Sequence, residues 1–294
     1  MTNDLNVDCK RNKDSVTQEL GDYWTRERML AAEPAGPMVI SDEEFENLTT
    51  EGVTLVQPPG TVQTVQSYSA EIERLGTAER ADIAVRPFSD GGKLFFTDSE
   101  GRDKWGSAQF VGSRRVLMTA AHCLHDPDTR QWNDNFVFVR GYNNGQGQIV
   151  GWSSVSIYRE WYSGGSPDPR YDYGFIYTSS QSERGYMGMK TNIPYDVWTS
   201  IGYPGNFGQG EYMYKVVGDK DTVQNGIVQM KNNPFGPGAS GGAWIGDVTS
   251  GHGGNFAVGL NSFIQESNPG SMYGPLFTSD TADLFEYVKL GGCS

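Results

Sequence analysis

Short apolar runs alternate with turn residues over most of the chain, and the first part departs from that pattern. From about Gly92 onward, runs rich in Val, Ile, Phe and Tyr are bounded by Gly, Asp or Ser, which is typical of β-strands. These runs predict strands at 93–97, 108–111, 115–119, 136–140, 155–158, 173–177, 198–203, 211–217, 222–230, 243–245 and 256–263. One helix is predicted at the end, with Ser279 as the cap of residues 280–290. The pattern therefore indicates an all-β body.

Residues 1–76 are acidic and poor in strand-like runs. They include one helix-compatible stretch, residues 22–30, in which Thr25 can act as the helix cap. Composition alone is equally consistent with a disordered acidic tail.

Composition limits the class of protein. The 38 glycines and 14 prolines fit short strands joined by tight turns. The net charge of −13, without any cluster of Lys and Arg, argues against nucleic acid as a partner. No stretch of about 18 apolar residues occurs, so no membrane span is predicted.

Only three histidines are available as a base near neutral pH: His122, His125 and His252. His122 lies in Thr-Ala-Ala-His-Cys directly after the apolar residues 116–118, where small neighbours leave room around the ring. His252 lies in a Gly-rich turn and is interpreted as a loop residue. His122 is therefore the candidate general base.

A serine with glycines on both sides is the candidate nucleophile. Ser240 lies in Pro-Gly-Ala-Ser-Gly-Gly, and these glycines permit a constrained turn that exposes the hydroxyl. A carboxylate is then needed to orient the imidazole. Asp172, a lone acid just before an apolar run, fits this role, and Asp168 in a Pro-flanked turn is the weaker competitor.

These motifs resemble a known family. The order His, Asp, Ser and the Thr-Ala-Ala-His-Cys motif are similar to the chymotrypsin-like serine peptidases, and Gly-Ala-Ser-Gly-Gly is close to the serine motif of that family. Gly-Lys-Leu-Phe-Phe at 92–96, Ile-Gly-Tyr-Pro-Gly at 201–205 and Ser-Met-Tyr-Gly-Pro at 271–275 resemble the V8-like or glutamyl endopeptidase branch. The likeness covers roughly residues 85–290.

The resemblance implies two antiparallel six-stranded β-barrels with a C-terminal helix, and a catalytic triad of His122, Asp172 and Ser240 between the barrels. The backbone N–H groups of Gly238 and Ser240 would form the oxyanion hole. The expected activity is hydrolysis of peptide bonds in proteins or peptides. Neither a metal nor an organic cofactor is expected, and the enzyme is expected to be secreted and to act as a monomer.

The same resemblance assigns substrate binding to Phe235, Asn261, Ser262 and Phe263. Asn261 stands where glutamyl enzymes place a histidine, so a preference for acidic residues is one option, since an amide can donate to a carboxylate. Ala239 replaces the Asp that precedes the nucleophile in the trypsin branch, which is also consistent with the V8-like branch.

Residues 23–35 resemble a stretch that precedes secreted members of the family. This implies a zymogen with an acidic pro-segment, residues 1–78, ahead of a peptidase domain, residues 79–294. Cys9, Cys123 and Cys293 allow one disulfide within the chain, and all three pairings remain open.

Two other functions compete with the peptidase. A catalytically inactive, protease-like binding protein would keep the fold without turnover, but the intact candidate triad argues against it. An esterase would carry Gly-x-Ser-x-Gly between a strand and a helix of an α/β chain, which this strand-rich pattern does not fit.

Overall fold

The computed structural model describes residues 5–12, 21–50, 75–251 and 253–293. Within these ranges the strands form one sheet of nine strands, one of ten strands and a separate two-stranded hairpin. The strands are β1 (Val7–Arg11), β2 (Glu33–Pro34), β3 (Met38–Ile40), β4 (Glu79–Arg80), β5 (Gly91–Thr97), β6 (Asp103–Phe110), β7 (Val116–Thr119), β8 (His125–Asp126), β9 (Gln131–Trp132), β10 (Asp134–Asn143), β11 (Gln146–Val150), β12 (Trp152–Tyr158), β13 (Gly174–Thr178), β14 (Gly188–Met189), β15 (Val197–Gly202), β16 (Tyr214–Gln224), β17 (Ile227–Lys231), β18 (Ala243–Gly246), β19 (Phe256–Leu260), β20 (Phe263–Gln265) and β21 (Ser271–Pro275). The helices are α1 (Arg26–Ala31), α2 (Asp42–Thr50), α3 (Glu160–Ser163) and α4 (Ser279–Lys289).

The two large sheets are the two barrels of the predicted fold. The first has the order β1-β12-β13-β7-β6-β5-β10-β11, with β2 added to β6. The second has the order β14-β19-β18-β15-β16-β17-β21-β20-β3, with β4 added to β16. The long strands pair antiparallel, whereas the short β2 and β3 pair parallel with β6 and β20. The prediction of an all-β, two-barrel fold with a C-terminal helix is confirmed.

Each sheet holds more strands than the predicted six, in part because the N-terminal part of the chain contributes strands to both. β1 and β2 extend the first sheet, and β3 and β4 extend the second. Sequence reasoning found no strands there, since segments of two to five residues give too few positions for a period-two pattern.

Two of the predicted strands are each divided in two. The run at 222–230 turns at Asn225 and Gly226, both of which have positive φ, and so becomes the hairpin of β16 and β17. The run at 256–263 is interrupted after Leu260, so that Phe263 begins β20. These breaks arise from local turns inside apolar stretches.

The C-terminal helix α4 packs on the first barrel, with Leu284 and Val288 buried as the periodicity predicts. Its cap is Thr278, one residue before the predicted Ser279. The Thr278 hydroxyl accepts the Asp280 N–H at 3.2 Å, and the Thr281 hydroxyl accepts the Thr278 N–H at 3.1 Å, which completes a capping box. No helix in the described ranges is long and apolar enough to span a membrane.

The described N-terminal residues are packed onto the barrels, unlike a disordered tail. Thr25 caps α1 as predicted, through its hydroxyl and the Arg28 N–H. Trp24, only 2% exposed, and Met29 lie in the core of the first barrel, and the Trp24 indole donates to the Asn135 carbonyl at 2.6 Å. A buried Trp of this kind contributes about 3–5 kcal/mol to stability. These residues are therefore held firmly on the first barrel.

A disulfide joins Cys9 of β1 to Cys293 after α4, with Cα atoms 5.9 Å apart. Of the pairings left open by the sequence, this is the one that the structure contains. Cys123 is a free, fully buried thiol, and its sulfur lies against Gly106 of β6.

Candidate active site

The histidine of the site lies on a short 3₁₀ turn, residues 121–123, just after β7. Ala120 and Ala121 are fully buried, so the turn packs closely against the first barrel. The His122 side chain remains 10% exposed at its outer edge. Small residues in the motif thus allow the chain to turn while the ring stays at the surface of the barrel.

Asp172 lies directly beneath His122. It follows a 3₁₀ turn at residues 169–171 and is fully buried. Its Oδ2 is 2.8 Å from His122 Nδ1, and its Oδ1 accepts the His122 backbone N–H at 2.9 Å. The Ser262 hydroxyl donates to the same carboxylate at 2.5 Å. This arrangement favours the tautomer with the proton on Nδ1, which leaves Nε2 free to accept a proton.

The carboxylate also changes the pKa of the ring. Burial of His122 by itself lowers the pKa, but the negative charge of Asp172 and its hydrogen bond raise the pKa well above the ordinary value of 6.5. The site therefore favours the protonated form of His122. A residue proposed as general base needs this property, because it would carry a proton during the reaction.

The candidate nucleophile lies on a sharp turn between β17 and β18. Gly238 and Gly241 both have positive φ, at 91° and 83°. A side chain at Gly238 would collide with Trp105 and the Tyr203 carbonyl, and one at Gly241 with Thr119. Only glycine fits at these two positions, so the glycines flanking Ser240 are dictated by backbone shape.

Ser240 is placed against the first barrel, close to His122. The Ser240 carbonyl accepts the Ser107 N–H at 2.8 Å and lies 3.9 Å from the sulfur of Cys123, the residue after His122. Ser240 Oγ and His122 Nε2 are both buried, and neither has a hydrogen-bond partner among the described residues. Buried polar atoms without partners are rare and cluster at functional sites. The structure thus brings Asp172 against His122 and leaves His122 Nε2 and Ser240 Oγ without partners among the described residues.

The Gly238 N–H, predicted as an oxyanion-hole donor, is already engaged. It donates at 2.7 Å to the carbonyl of Ala35, from the N-terminal part of the chain. The Ala35 carbonyl oxygen therefore occupies the position predicted for the carbonyl oxygen of a substrate.

A buried lysine supports the wall next to Gly238. Lys93 Nζ lies 3.3 Å from Glu211 Oε1 and 4.1 Å from the ring centre of Trp105, whose indole donates to the Tyr203 carbonyl at 3.0 Å. Burial lowers the pKa of Lys93 to about 8, and the charge of Glu211 opposes this. These contacts fix the Trp105 ring against Gly238.

The four residues predicted to bind substrate are all buried. Phe235 packs in the core of the second barrel, and Phe263 stacks on Tyr273 with ring centres 5.2 Å apart. The Ser262 hydroxyl is directed at Asp172, so its role in the site includes holding that carboxylate. Substrate binding by these residues stays a prediction.

Asn261 is the centre of a buried hydrogen-bond network around the nucleophile turn. Its Nδ2 donates to the carbonyls of Ile201 and Ala239, at 3.1 and 3.2 Å. Its Oδ1 accepts three hydrogen bonds, from Ser200, Asn233 and Trp244. Its backbone exchanges hydrogen bonds with Gly241 and Gly242. The side chain therefore positions the turn, and both of its N–H donors are already used.

Replacing Asn261 with aspartate is expected to disturb this turn selectively. Asn261→Asp keeps one oxygen that accepts the three hydrogen bonds. Its second oxygen replaces the amide N–H group and faces the Ala239 carbonyl, next to Ser240. We expect a loss of about 1–3 kcal/mol in the free energy of unfolding and about a hundredfold in kcat, with KM little changed. Urea unfolding measures the loss of stability and peptide-hydrolysis kinetics measure kcat and KM, with Asn143→Asp, at an exposed asparagine, as the control. An unchanged kcat would contradict a positioning role.

Sequence reasoning missed two polar residues that brace the site from β6. The Ser107 hydroxyl donates to the Gly238 carbonyl and accepts the Tyr203 N–H, both at 2.9 Å. The Gln109 amide donates to the Gly241 carbonyl at 3.0 Å. Both residues are buried. Only Gln109 stands out in the sequence, as a polar residue between Ala108 and Phe110 in a predicted strand. Among the described residues, no three His, Cys, Asp or Glu side chains group as a metal site.

Comparison with known proteins places this fold. No family model and no curated protein sequence matches the chain. Among solved structures it is similar to the thermostable serine protease AL20 from an extremophilic microorganism (25% identity, 69% of this chain and 98% of that chain covered, TM-score 0.61). It is also similar to protease Anisep from Arthrobacter nicotinovorans (23%, 71% and 97%, TM-score 0.61) and to a Glu endopeptidase (15%, 72% and 96%, TM-score 0.60). The chain has the two-barrel fold of the chymotrypsin-like serine proteases.

Proposed function

We propose that the protein is a serine endopeptidase in which Ser240 is the nucleophile, His122 the general base and Asp172 the orienting carboxylate. The observation that carries this proposal is the hydrogen bond of 2.8 Å between Asp172 and His122 Nδ1, with Nε2 and the Ser240 hydroxyl both buried and left unpaired among the described residues. Such a geometry allows His122 to take the hydroxyl proton as Ser240 attacks a carbonyl.

In the proposed reaction, Ser240 Oγ bonds to the carbonyl carbon of a peptide and its proton passes to His122 Nε2. The N–H groups of Gly238 and Ser240 stabilise the oxyanion. His122 then gives the proton to the leaving amine, and water hydrolyses the acyl-enzyme with His122 again as base. The chemistry needs no metal and no organic cofactor.

For substrate specificity, we propose only the branch of the family and one option for the preferred residue. The similar Glu endopeptidase and the V8-like motifs favour a V8-like enzyme, with acidic residues as one option for the position before the cut. The Asn261 amide is engaged by Ile201 and Ala239, so an acidic preference would need other donors. No Asp stands where the trypsin branch places the carboxylate that binds Lys or Arg, so cleavage after basic residues is not supported.

We further propose that the protein is a secreted, monomeric zymogen, with residues 1–78 as the pro-segment and residues 79–294 as the peptidase domain. The Cys9–Cys293 disulfide supports an oxidising compartment. Protein or peptide substrates are the proposed partners.

Labelling with a fluorophosphonate tests the proposed nucleophile. The full chain, a sample after limited proteolysis and a proteolysed sample treated with dithiothreitol are labelled, and the modified peptide is identified by mass spectrometry. We expect the label on Ser240 in at least one of the proteolysed samples, and none after heat denaturation. Absence of Ser240 labelling in all three samples would refute the endopeptidase proposal.

A further inference from the structure

The chain's own residues 33–40 lie across the candidate active site. At their centre the Ala35 carbonyl accepts the Gly238 N–H, and the Ala35 N–H donates to the Trp105 carbonyl, both at 2.7 Å. Pro34 lies against Gly205 on the other side. The Ala35 carbonyl therefore uses the Gly238 N–H that a reacting substrate carbonyl would need as its donor.

The two halves of this segment add to one sheet each. β2 pairs parallel with residues 104–105 of β6, and Lys104 forms an ion pair of 2.6 Å with Glu33. β3 pairs parallel with β20, and the Ile40 carbonyl accepts the Glu266 N–H at 3.1 Å. Addition of an extended segment to a sheet edge is a common mode of peptide recognition. The segment uses edges on both sides of the cleft, so a peptide cannot pair with them at the same time.

Anchors on either side hold the segment in place. Before it, Trp24 and Met29 are buried in the first barrel. At its end, Ile40, which is 8% exposed, packs with Phe263, and beyond it the ring centre of Phe45 in α2 lies 5.2 Å from that of Tyr273. A cut at the Ala35 carbonyl would leave both halves anchored, so it would not clear the cleft.

The disulfide adds a covalent restraint. Cys9, upstream of the segment, is bonded to Cys293 at the end of the peptidase domain. A cut within residues 51–74, between the segment and the domain, therefore leaves the two parts joined. A tether of this kind holds a ligand at an effective concentration of about a millimolar.

We propose that residues 33–40 are a built-in inhibitor of the cleft, and that the Cys9–Cys293 bond keeps them there after the chain is cut. This inference rests on the proposed endopeptidase function. In this arrangement the N-terminal part directly blocks the Gly238 N–H of the proposed oxyanion hole and both sheet edges. Release then needs loss of the tether as well as a cut.

The first experiment separates the cut from the tether. A recognition sequence for a site-specific protease is placed within residues 51–74 of the full chain, and hydrolysis of a fluorogenic peptide is measured in intact, cut, and cut and reduced protein. Dithiothreitol supplies two thiols, which are oxidised to its cyclic disulfide as Cys9 and Cys293 become thiols. We expect the cut and reduced protein, at high dilution, to be about a hundredfold more active than the cut protein.

Controls distinguish the possible failures. A Cys9→Ser, Cys293→Ser variant should become active on cutting and dilution without reductant. Equal activity in intact and released protein would overturn the inference while leaving the proposed function intact, and full activity after cutting alone would overturn the tether. Absence of Ser240-dependent activity and labelling in every state would overturn the proposed function itself.

The second experiment uses a synthetic peptide of residues 21–50 as the inhibitor, which avoids any effect of substitution on folding of the protease. It should inhibit the released enzyme. Ile40→Asp in the peptide buries a charge against Phe263 and should weaken inhibition at least about tenfold. Val39→Asp is the matched control, because Val39 is 63% exposed in the same strand, and should leave inhibition unchanged. Equal inhibition by both variants would refute the docking that we infer.

Discussion

Ser240→Ala is expected to lower kcat of the released enzyme by about a millionfold, because it removes the proposed nucleophile. The rate that remains would come from substrate binding and the oxyanion donors. The assay is hydrolysis of a fluorogenic peptide at saturating concentration, with Ser163→Ala, at a surface serine, as the control for the substitution itself.

The same variant should fold as well as the parent or better. The Ser240 hydroxyl is buried without a hydrogen-bond partner among the described residues, so the folded state bears the cost of an unpaired polar group. Ser107→Ala is the matched comparison, since that hydroxyl is buried with two partners and its loss should cost about 1–3 kcal/mol. Urea unfolding measures both. A Ser240→Ala variant that is less stable than the Ser107→Ala variant would contradict this account of the site.

Much of the candidate site could be predicted from the sequence, because its chemistry depends on contiguous residues. His122 and Ser240 each lie in a motif of small residues and glycines that the backbone demands, as the collisions at Gly238 and Gly241 illustrate. Asp172 was predicted from its place before a strand, and the structure gives it three donors. The roles of all three remain proposals.

The contacts that span long distances along the chain could not be predicted. Asn261 has the pattern of an ordinary strand residue, and only the fold brings the nucleophile turn and two other strands to its amide. The strands of the segment across the cleft gave no signal either, because β2 and β3 contain two and three residues and join their sheets in parallel. Tertiary pairing, and not local preference, decides such strands.

These contacts also indicate how the N-terminal part would act as the proposed inhibitor. Its anchors are apolar and lie in the barrel cores, whereas its central residues meet the cleft through backbone hydrogen bonds. Backbone bonds to sheet edges depend little on side-chain identity, so the segment resembles any extended peptide at this point. Affinity then comes from the anchors and the tether, and occupancy of the cleft follows from them.

Asp172→Asn is expected to lower kcat by about ten-thousandfold while leaving the fold intact. The carboxylate accepts from His122 Nδ1, the His122 backbone and Ser262. An amide offers one oxygen and two N–H groups in the same space, so one donor must face another donor and the ring loses its preferred tautomer. Kinetics of the released variant test this, with circular dichroism as the check on folding. A loss of less than about tenfold would remove Asp172 from the triad.

The pH dependence of kcat/KM in the same variant should shift in a direction that a purely structural effect would not produce. In the parent, Asp172 raises the pKa of His122, so the acidic limb of kcat/KM should lie above pH 6.5, where the imidazole loses its proton. In Asp172→Asn the anion is gone while burial remains, and burial lowers the pKa of a histidine, so the limb should move to lower pH. Ser262→Ala keeps the carboxylate and should keep the limb above pH 6.5. A limb that stays in place in Asp172→Asn would mean that another group controls the reaction.

The ion pair between Asp172 and His122 also stabilises the folded protein. This contribution is fully present below pH 6.5 and is lost as the pH rises through the raised pKa of His122. The difference in free energy of unfolding between the parent and Asp172→Asn should therefore be largest in acid.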